Sequence, residues 1–202
     1  MLYISHRINT TQQLAAIPVE YGIEVDLRDS GNRIVMQHDP FIQPDAEEFE
    51  HFLESYKHKL IILNVKSERI EPRVQQLMQR FGINDYFFLD SSFPMIRLLA
   101  TQGENRIAVR FSEFEPIESA LAVAGKVDWV WIDCFTRMPL TVQVYSELKK
   151  HFKLCVVSPE LQGRSVDTIS TFAEQLRPFE VDAVCTKRPD LWIASRSQVA
   201  VH

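Results

Sequence analysis

Eight short runs rich in β-branched and aromatic residues recur along the 202-residue chain: 2–6 (LYISH), 23–28 (IEVDLR), 60–66 (LIILNVK), 86–90 (YFFLD), 106–111 (RIAVRF), 129–135 (WVWIDCF), 153–158 (KLCVVS) and 182–187 (DAVCTK). Between them lie segments whose apolar residues fall at helical spacing, such as TTQQLAAIPVEY, RIEPRVQQLMQRFG and SVDTISTFAEQL. Strands joined through helices pair in parallel by right-handed crossovers, and eight such units close a (β/α)8 TIM barrel. The rival, an open doubly wound sheet, calls for a nucleotide crevice, and the six glycines supply no GxGxxG turn. The expected fold is therefore α/β, a single compact barrel domain over 1–202, trimmed to short loops because such barrels typically run to about 250 residues.

Local signals refine this frame. Thr10 or Thr11, Asp45 and Ser165 are placed to cap helices, and Gly82, Gly103 and Gly125 to close them. The run 33–39 (RIVMQHD) follows the second strand across DSGN, which reads as a hairpin partner or an extension of that strand.

Charge and hydropathy exclude several classes. Lys plus Arg number 22 against 27 Asp plus Glu, a net charge of −5 without a basic run to track a phosphate backbone, so nucleic acid is not an expected partner. Apolar runs such as LIIL at 60–63 fall short of the roughly 20 residues of a membrane span, so no integral membrane segment is expected. The N-terminus reaches His6 and Arg7 too soon for a signal peptide, and a cytoplasmic protein is expected. Cys134, Cys155 and Cys185 form no CxxC pair and read as buried free thiols. Oligomeric state leaves no mark in the sequence.

In a barrel of this kind the chemistry gathers at the C-terminal ends of strands. There the first strand ends in His6-Arg7, the second carries Glu24 and Asp26, its extension ends in His38-Asp39, and the third carries Asn64 and Lys66. Glu24 and Asp26, two apart in a strand, project from one face. Two adjacent carboxylates repel unless a positive charge lies between them, and a hard divalent cation, Mg2+ or Ca2+, answers that need; a salt-bridged strand end with Arg7 or Lys66 is the alternative. Two imidazoles at one site, His6 and His38, supply a general acid and a general base, and Arg7 and Lys66 suit the non-bridging oxygens of a phosphodiester. Arg110, Glu160 and Lys187 are further candidates to line the mouth, while Trp129 and Trp131 share a strand face with Asp133, as core or as a stacking wall.

SHR at 5–7, IEVDL at 23–27, QHDP at 37–40, LNVK at 63–66 and CTKRPDLW at 185–192 together form an ordered set. In it the chain resembles the glycerophosphodiester phosphodiesterase family, within the phospholipase-C-like phosphodiesterases. The resemblance implies a (β/α)8 barrel in which His6 and His38 are the acid and base pair, Arg7 and Lys66 contact phosphate, and Glu24 and Asp26 ligate a divalent cation. It also implies a small-molecule or lipid-head-group phosphodiester as substrate, attacked first by one of its own hydroxyls to give a cyclic phosphate that water opens.

Three departures from the family pattern stand out. Ile8 replaces the glycine that usually follows HR, so the first loop is expected to avoid left-handed conformations. Asn64 stands where a third carboxylate is usual; as a metal ligand it coordinates through its amide oxygen but brings no charge, so the cation is held more weakly unless Asp133 or Glu160 moves in as a further ligand. The sizeable insertion after HD is absent, which opens the expected mouth and frees the substrate from being a glycerol derivative. Two other functions compete with a metal-dependent phosphodiesterase. One is a non-catalytic phosphate-binding barrel that has lost efficient metal chemistry, and the other a barrel whose carboxylates do acid and base work without metal.

Overall fold

A computed structural model of the chain describes residues 1–197. All eight expected strands are present: Leu2–Ser5 (β1), Gly22–Ser30 (β2), Ile61–Val65 (β4), Tyr86–Leu89 (β5), Ala108–Phe111 (β6), Trp129–Ile132 (β7), Lys153–Val157 (β8) and Ala183–Thr186 (β9). The extra strand Arg33–Met36 (β3) pairs antiparallel with β2, from Leu27↔Met36 to Ser30↔Arg33. The two-residue turn Gly31-Asn32 closes this hairpin, with Gly31 at φ +61° as such turns require.

The sheet order is β5-β4-β2-β1-β9-β8-β7-β6, and every strand but β3 alternates with a helix, as in a (β/α)8 barrel. The chain divides into two compact units, His6–Ile107 and Met1–Ser5 with the chain from Ala108 onward. In the first, β2, β4 and β5 pair in parallel, with Asp26 opposite Asn64 and Asn64 opposite Leu89, and Phe88 bridges to Ile107. In the second, β6, β7, β8, β9 and β1 pair in parallel, with Arg110 opposite Trp131 and Trp131 opposite Cys155.

Parallel strands covered by helices are buried on both faces, which is why β4, β5, β7 and β9 read as near-continuous apolar runs and are buried throughout. The helices are Thr11–Ala15 (α1), Phe49–Ser55 (α2), Glu71–Arg80 (α3), Phe93–Thr101 (α4), Ile117–Leu121 (α5), Val142–Lys149 (α6), Thr168–Leu176 (α7) and Pro189–Ser197 (α8). Thr10 caps α1 by accepting from the Gln13 amide, and Ser92 and Thr141 do the same for α4 and α6. Gly82 and Gly103, at φ +67° and +86°, close α3 and α4 in the left-handed conformation that glycine adopts without strain.

Two expected caps are not used. Asp45 does not start α2, because Glu47 and Glu48 first run along β3, with the Met36 amide donating to the Glu47 carbonyl and Val35 bridging Glu48; the helix begins only at Phe49. Ser165 instead closes a turn ahead of α7, accepting from the Asp167 amide at 3.3 Å. The three cysteines are buried free thiols, as expected, and both Trp129 and Trp131 are buried in β7, so they serve the core. Among the described residues no helix is long and apolar enough to cross a membrane.

Candidate active site

The unit His6–Ile107 gathers His6, Arg7, Glu24, Asp26, His38, Asn64 and Lys66. Alternation along β2 puts Glu24 and Asp26 on one face, both almost fully buried, between apolar Ile23, Val25 and Leu27 on the other. Burial pushes the Glu24 carboxyl up, the Asp26 charge adds to this, and the Asn64 hydrogen bond, the Arg7 amide and Lys66 oppose it, leaving the group at about 7.

The first loop is built around these carboxylates. Arg7 donates its amide to Glu24 Oε2 at 2.7 Å, and Ile8 donates its own to the Glu24 carbonyl at 2.8 Å. Aiming two successive amides at one residue forces a sharp turn, and Arg7 takes it at φ +58°, a strained conformation for a non-glycine residue. The expectation that this loop avoids left-handed geometry is thus corrected: Ile8 is a buried core residue, and the left-handed position lies one residue earlier. Arg7 Nε then reaches Asp26 Oδ2 at 3.5 Å, and His6 Nε2 lies 3.7 Å from Glu24 Oε2.

Lys66, one residue past β4, points its ammonium between two carboxylates, 3.0 Å from Asp90 Oδ2 and 3.8 Å from Asp26 Oδ1. His38 pairs its Nδ1 with Asp39 Oδ1 at 2.7 Å, and that hydrogen bond holds the Asp39 carboxyl below its usual value. Asp39 therefore orients its neighbour.

Three residues of this arrangement escaped sequence reasoning. Asn9 makes a reciprocal pair with Asp26, donating Nδ2 to Oδ2 and accepting the Asp26 amide, each at 2.9 Å. Arg28 ties two site segments together: its Nε and Nη2 donate to the His38 carbonyl at 3.2 and 2.7 Å, and its Nη1 to the Lys66 carbonyl at 2.9 Å. Asp90, held at φ +64° just after β5, partners Lys66. The one available signal was that Arg28 and Asp90 close strand-like runs at ends where function concentrates.

The donors present can be weighed against a hard cation. Asn64 Nδ2 donates to Glu24 Oε1 at 2.7 Å, which turns Asn64 Oδ1 away from that bond. Asn64 Oδ1 and Asp26 Oδ1 are buried oxygens that accept no hydrogen bond, on register partners of adjacent strands. Open oxygen acceptors beside a second carboxylate suit a hard cation, which binds oxygen and neutralises the pair. The set comprises two carboxyl groups and one amide oxygen, and among the described residues no group of three His, Cys, Asp or Glu is assembled to hold a metal.

The remaining candidates lie in the other unit, where each is engaged in its own network. Asp133 is buried and pairs with Arg110, while Gln162 Nε2 donates to its Oδ1 at 2.8 Å. Glu160 accepts from the Ser158 hydroxyl, from Thr186 Oγ1 at 2.6 Å and from the Lys187 amide at 3.0 Å. Lys187 and the threonine before it thus serve to fix Glu160, and Trp192 of α8 steadies the same corner by donating to Ser158 Oγ at 2.8 Å.

No family profile matches the sequence, and no curated protein is similar to it. Solved structures are similar in fold. A glycerophosphodiester phosphodiesterase from Agrobacterium tumefaciens str. C58 is 18% identical, with a TM-score of 0.70 over 98% of this chain and 99% of that one. A putative glycerophosphoryl diester phosphodiesterase from the same organism is 16% identical, with a TM-score of 0.73 over 100% and 99%. A glycerophosphoryl diester phosphodiesterase from Parabacteroides distasonis is 12% identical, with a TM-score of 0.70 over 98% and 86%. The tryptophan synthase α-subunit of Pyrococcus furiosus, at a TM-score of 0.56, is less similar. In fold, therefore, the chain is a (β/α)8 barrel of the kind that glycerophosphodiester phosphodiesterases adopt.

Proposed function

We propose that the protein is a phosphoric diester hydrolase acting on a glycerophosphodiester-like substrate, with His6 and His38 as acid and base. The observation that carries this reading is the assembly in one unit of a buried carboxylate pair, two histidines each beside a carboxylate, and two cations, Arg7 and Lys66. Similarity of fold to three phosphodiesterases supports it.

Glu24, Asp26 and Asn64 are the residues to hold a divalent cation, Mg2+ or Ca2+, which when bound polarises a phosphoryl oxygen. The chain's own groups account for the rest. Arg7 and Lys66 neutralise the non-bridging oxygens as the phosphorus gains a fifth oxygen. One imidazole takes the proton from the attacking hydroxyl as the new P–O bond forms, and the other protonates the leaving alkoxide as the old P–O bond breaks. A cyclic phosphate formed in this way is opened by water with the two roles exchanged. Asp39 at His38 Nδ1 and Glu24 near His6 Nε2 keep each ring in place.

Release of alcohol from a panel of glycerophosphodiesters, with Mg2+ or Ca2+ added, tests the assignment. His6→Ala and His38→Ala are each expected to lose at least about 100-fold in turnover. Full activity in both variants would end it, and phosphate binding without turnover in the wild-type protein would favour a non-catalytic barrel.

A further inference from the structure

A cleft of about 460 Å3 lies against the turn of the β2–β3 hairpin, lined by Asp29, Arg33, Ile34, Arg69, Ile70 and Arg73. All six belong to the unit His6–Ile107. Asp29 stands three residues beyond Asp26 on β2, and strand alternation puts it on the opposite face from Glu24 and Asp26. The cleft therefore opens away from the buried carboxylate pair. The Asp29 amide donates to Ser67 Oγ at 3.3 Å, which ties the hairpin to the loop that carries Arg69, so the two walls are already joined.

Three guanidiniums meet here in a chain whose net charge is −5. Arg33 has a partner, Glu48 Oε1 at 2.8 Å. Arg73 reaches only the neutral amide oxygen of Gln76, at 3.5 Å. Among the described residues the Arg69 side chain forms no hydrogen bond or ion pair, and neither does the Asp29 carboxylate, although both line the cleft. Two cations thus share the cleft with no carboxylate bound to either. Arg69 is also held at φ +68°, a conformation that strains any residue with a side chain and that glycine adopts freely. An exposed side chain without a partner adds nothing to the fold that offsets this strain. Ile34 and Ile70, both buried, supply apolar wall to the same cleft.

We propose that this cleft binds a small organic phosphomonoester, with Arg69 and Arg73 holding the phosphate oxygens and Ile34 and Ile70 flanking the carbon skeleton. Guanidinium forks match phosphate oxygens in pairs, which a point charge does not. The cleft is roomier than a lone phosphate requires and falls in the range of small-molecule sites, which favours a phosphate with an organic part. Asp29, the one acid of the lining, can accept from a hydroxyl of that skeleton.

The test follows calorimetric binding and thermal denaturation of the full chain, in chelator, with glycerol 3-phosphate, inorganic phosphate and chloride at matched ionic strength. Glycerol 3-phosphate is expected to raise the wild-type midpoint with its concentration. Arg69→Gly, which relaxes the left-handed backbone, should be at least as stable as wild type without ligand and bind about ten-fold more weakly. Arg73→Gln should weaken binding by about the same factor, and neither change should alter diester turnover. Lys66→Met should keep the part of the response that the two arginine variants lose. An equal response in wild type, Arg69→Gly and Arg73→Gln overturns the proposal, as does one that chloride reproduces or that Lys66→Met alone removes. Inorganic phosphate should bind more weakly than glycerol 3-phosphate; equal affinity would overturn the monoester in favour of the free ion. Absence of diester turnover would strike the phosphodiesterase reading alone, because binding in the cleft is measured without it.

Discussion

Asn64 donates its side-chain amide to Glu24 Oε1 at 2.7 Å, so a neutral side chain on one strand quiets a buried carboxylate on the next. A third carboxylate at this position would have added repulsion to a pair already pushed together by the fold. The amide eases the placing of Glu24 and Asp26 on one buried face, and it brings no charge of its own toward the proposed cation. Asn64→Asp should therefore lower the melting temperature in chelator, by the equivalent of about 1–3 kcal/mol, and raise affinity for Mg2+ or Ca2+ by at least about ten-fold. Thermal denaturation across a cation titration reads both, since a ligand that binds only the folded state raises the midpoint with its concentration. Equal cation responses in wild type and variant would show that Asn64 does not face the ion.

Arg28 makes the second prediction. One guanidinium holds the carbonyls of both His38 and Lys66, so the proposed acid or base and the proposed phosphate contact share a single anchor. Lysine keeps the charge but not the fork that spans the two carbonyls. Arg28→Lys is expected to cut kcat on the order of 10- to 100-fold with a smaller change in KM, as misplacement of reacting groups does. Steady-state kinetics alongside thermal denaturation separates this from unfolding; an unaltered kcat would leave Arg28 a purely structural tie.

What the sequence made legible follows from what it encodes locally. Strand alternation alone put Glu24 and Asp26 on one face, and strand ends alone marked His6, Arg7, His38 and Lys66. The misses are contacts made through space. Nothing in FFLD tells that the Asp90 carboxylate meets Lys66, and nothing in INTT tells that Asn9 folds back on Asp26. The expected cap at Asp45 failed for the same reason: Glu47 and Glu48 are drawn into the edge of β3, and no helix-start signal reports a competing strand. Asp133 and Glu160 were legible as strand-end acids but not as acids already committed to Arg110 and Gln162, or to Ser158, Thr186 and Lys187.

Asp90 yields a prediction with a built-in control for folding. Its left-handed backbone is one that asparagine tolerates at least as well, so Asp90→Asn should leave stability almost unchanged. The lost charge frees the Lys66 ammonium, now 3.0 Å from that carboxylate, to act on an anionic diester. KM should fall a few-fold at low salt and the gain should shrink as salt screens it, whereas Lys66→Met should raise KM. If both variants bind the diester as the wild type does, Lys66 does not contact phosphate.

Glu104 governs the acid limb of stability away from the site. Burial alone would raise its pKa, but hydrogen bonds from the Arg106 side chain, Gln75, the Arg106 amide and the Tyr86 hydroxyl outweigh burial and hold it at about 2, against an ordinary 4.5. Because the folded state binds this proton less readily than the unfolded chain, the stabilisation is complete above about 4.5 and is lost as pH falls toward 2. Its size is on the order of 2–3 kcal/mol, taken below the full pKa difference because the Arg106 guanidinium is partly in water. Glu104→Gln should be less stable than wild type at neutral pH, and the gap should close across that acid window. Urea denaturation at a series of pH values gives the difference directly, with the other carboxylates common to both proteins. A gap that stays constant down to pH 2 would mean that the Glu104 charge, and its pairing with Arg106, contributes nothing to the fold.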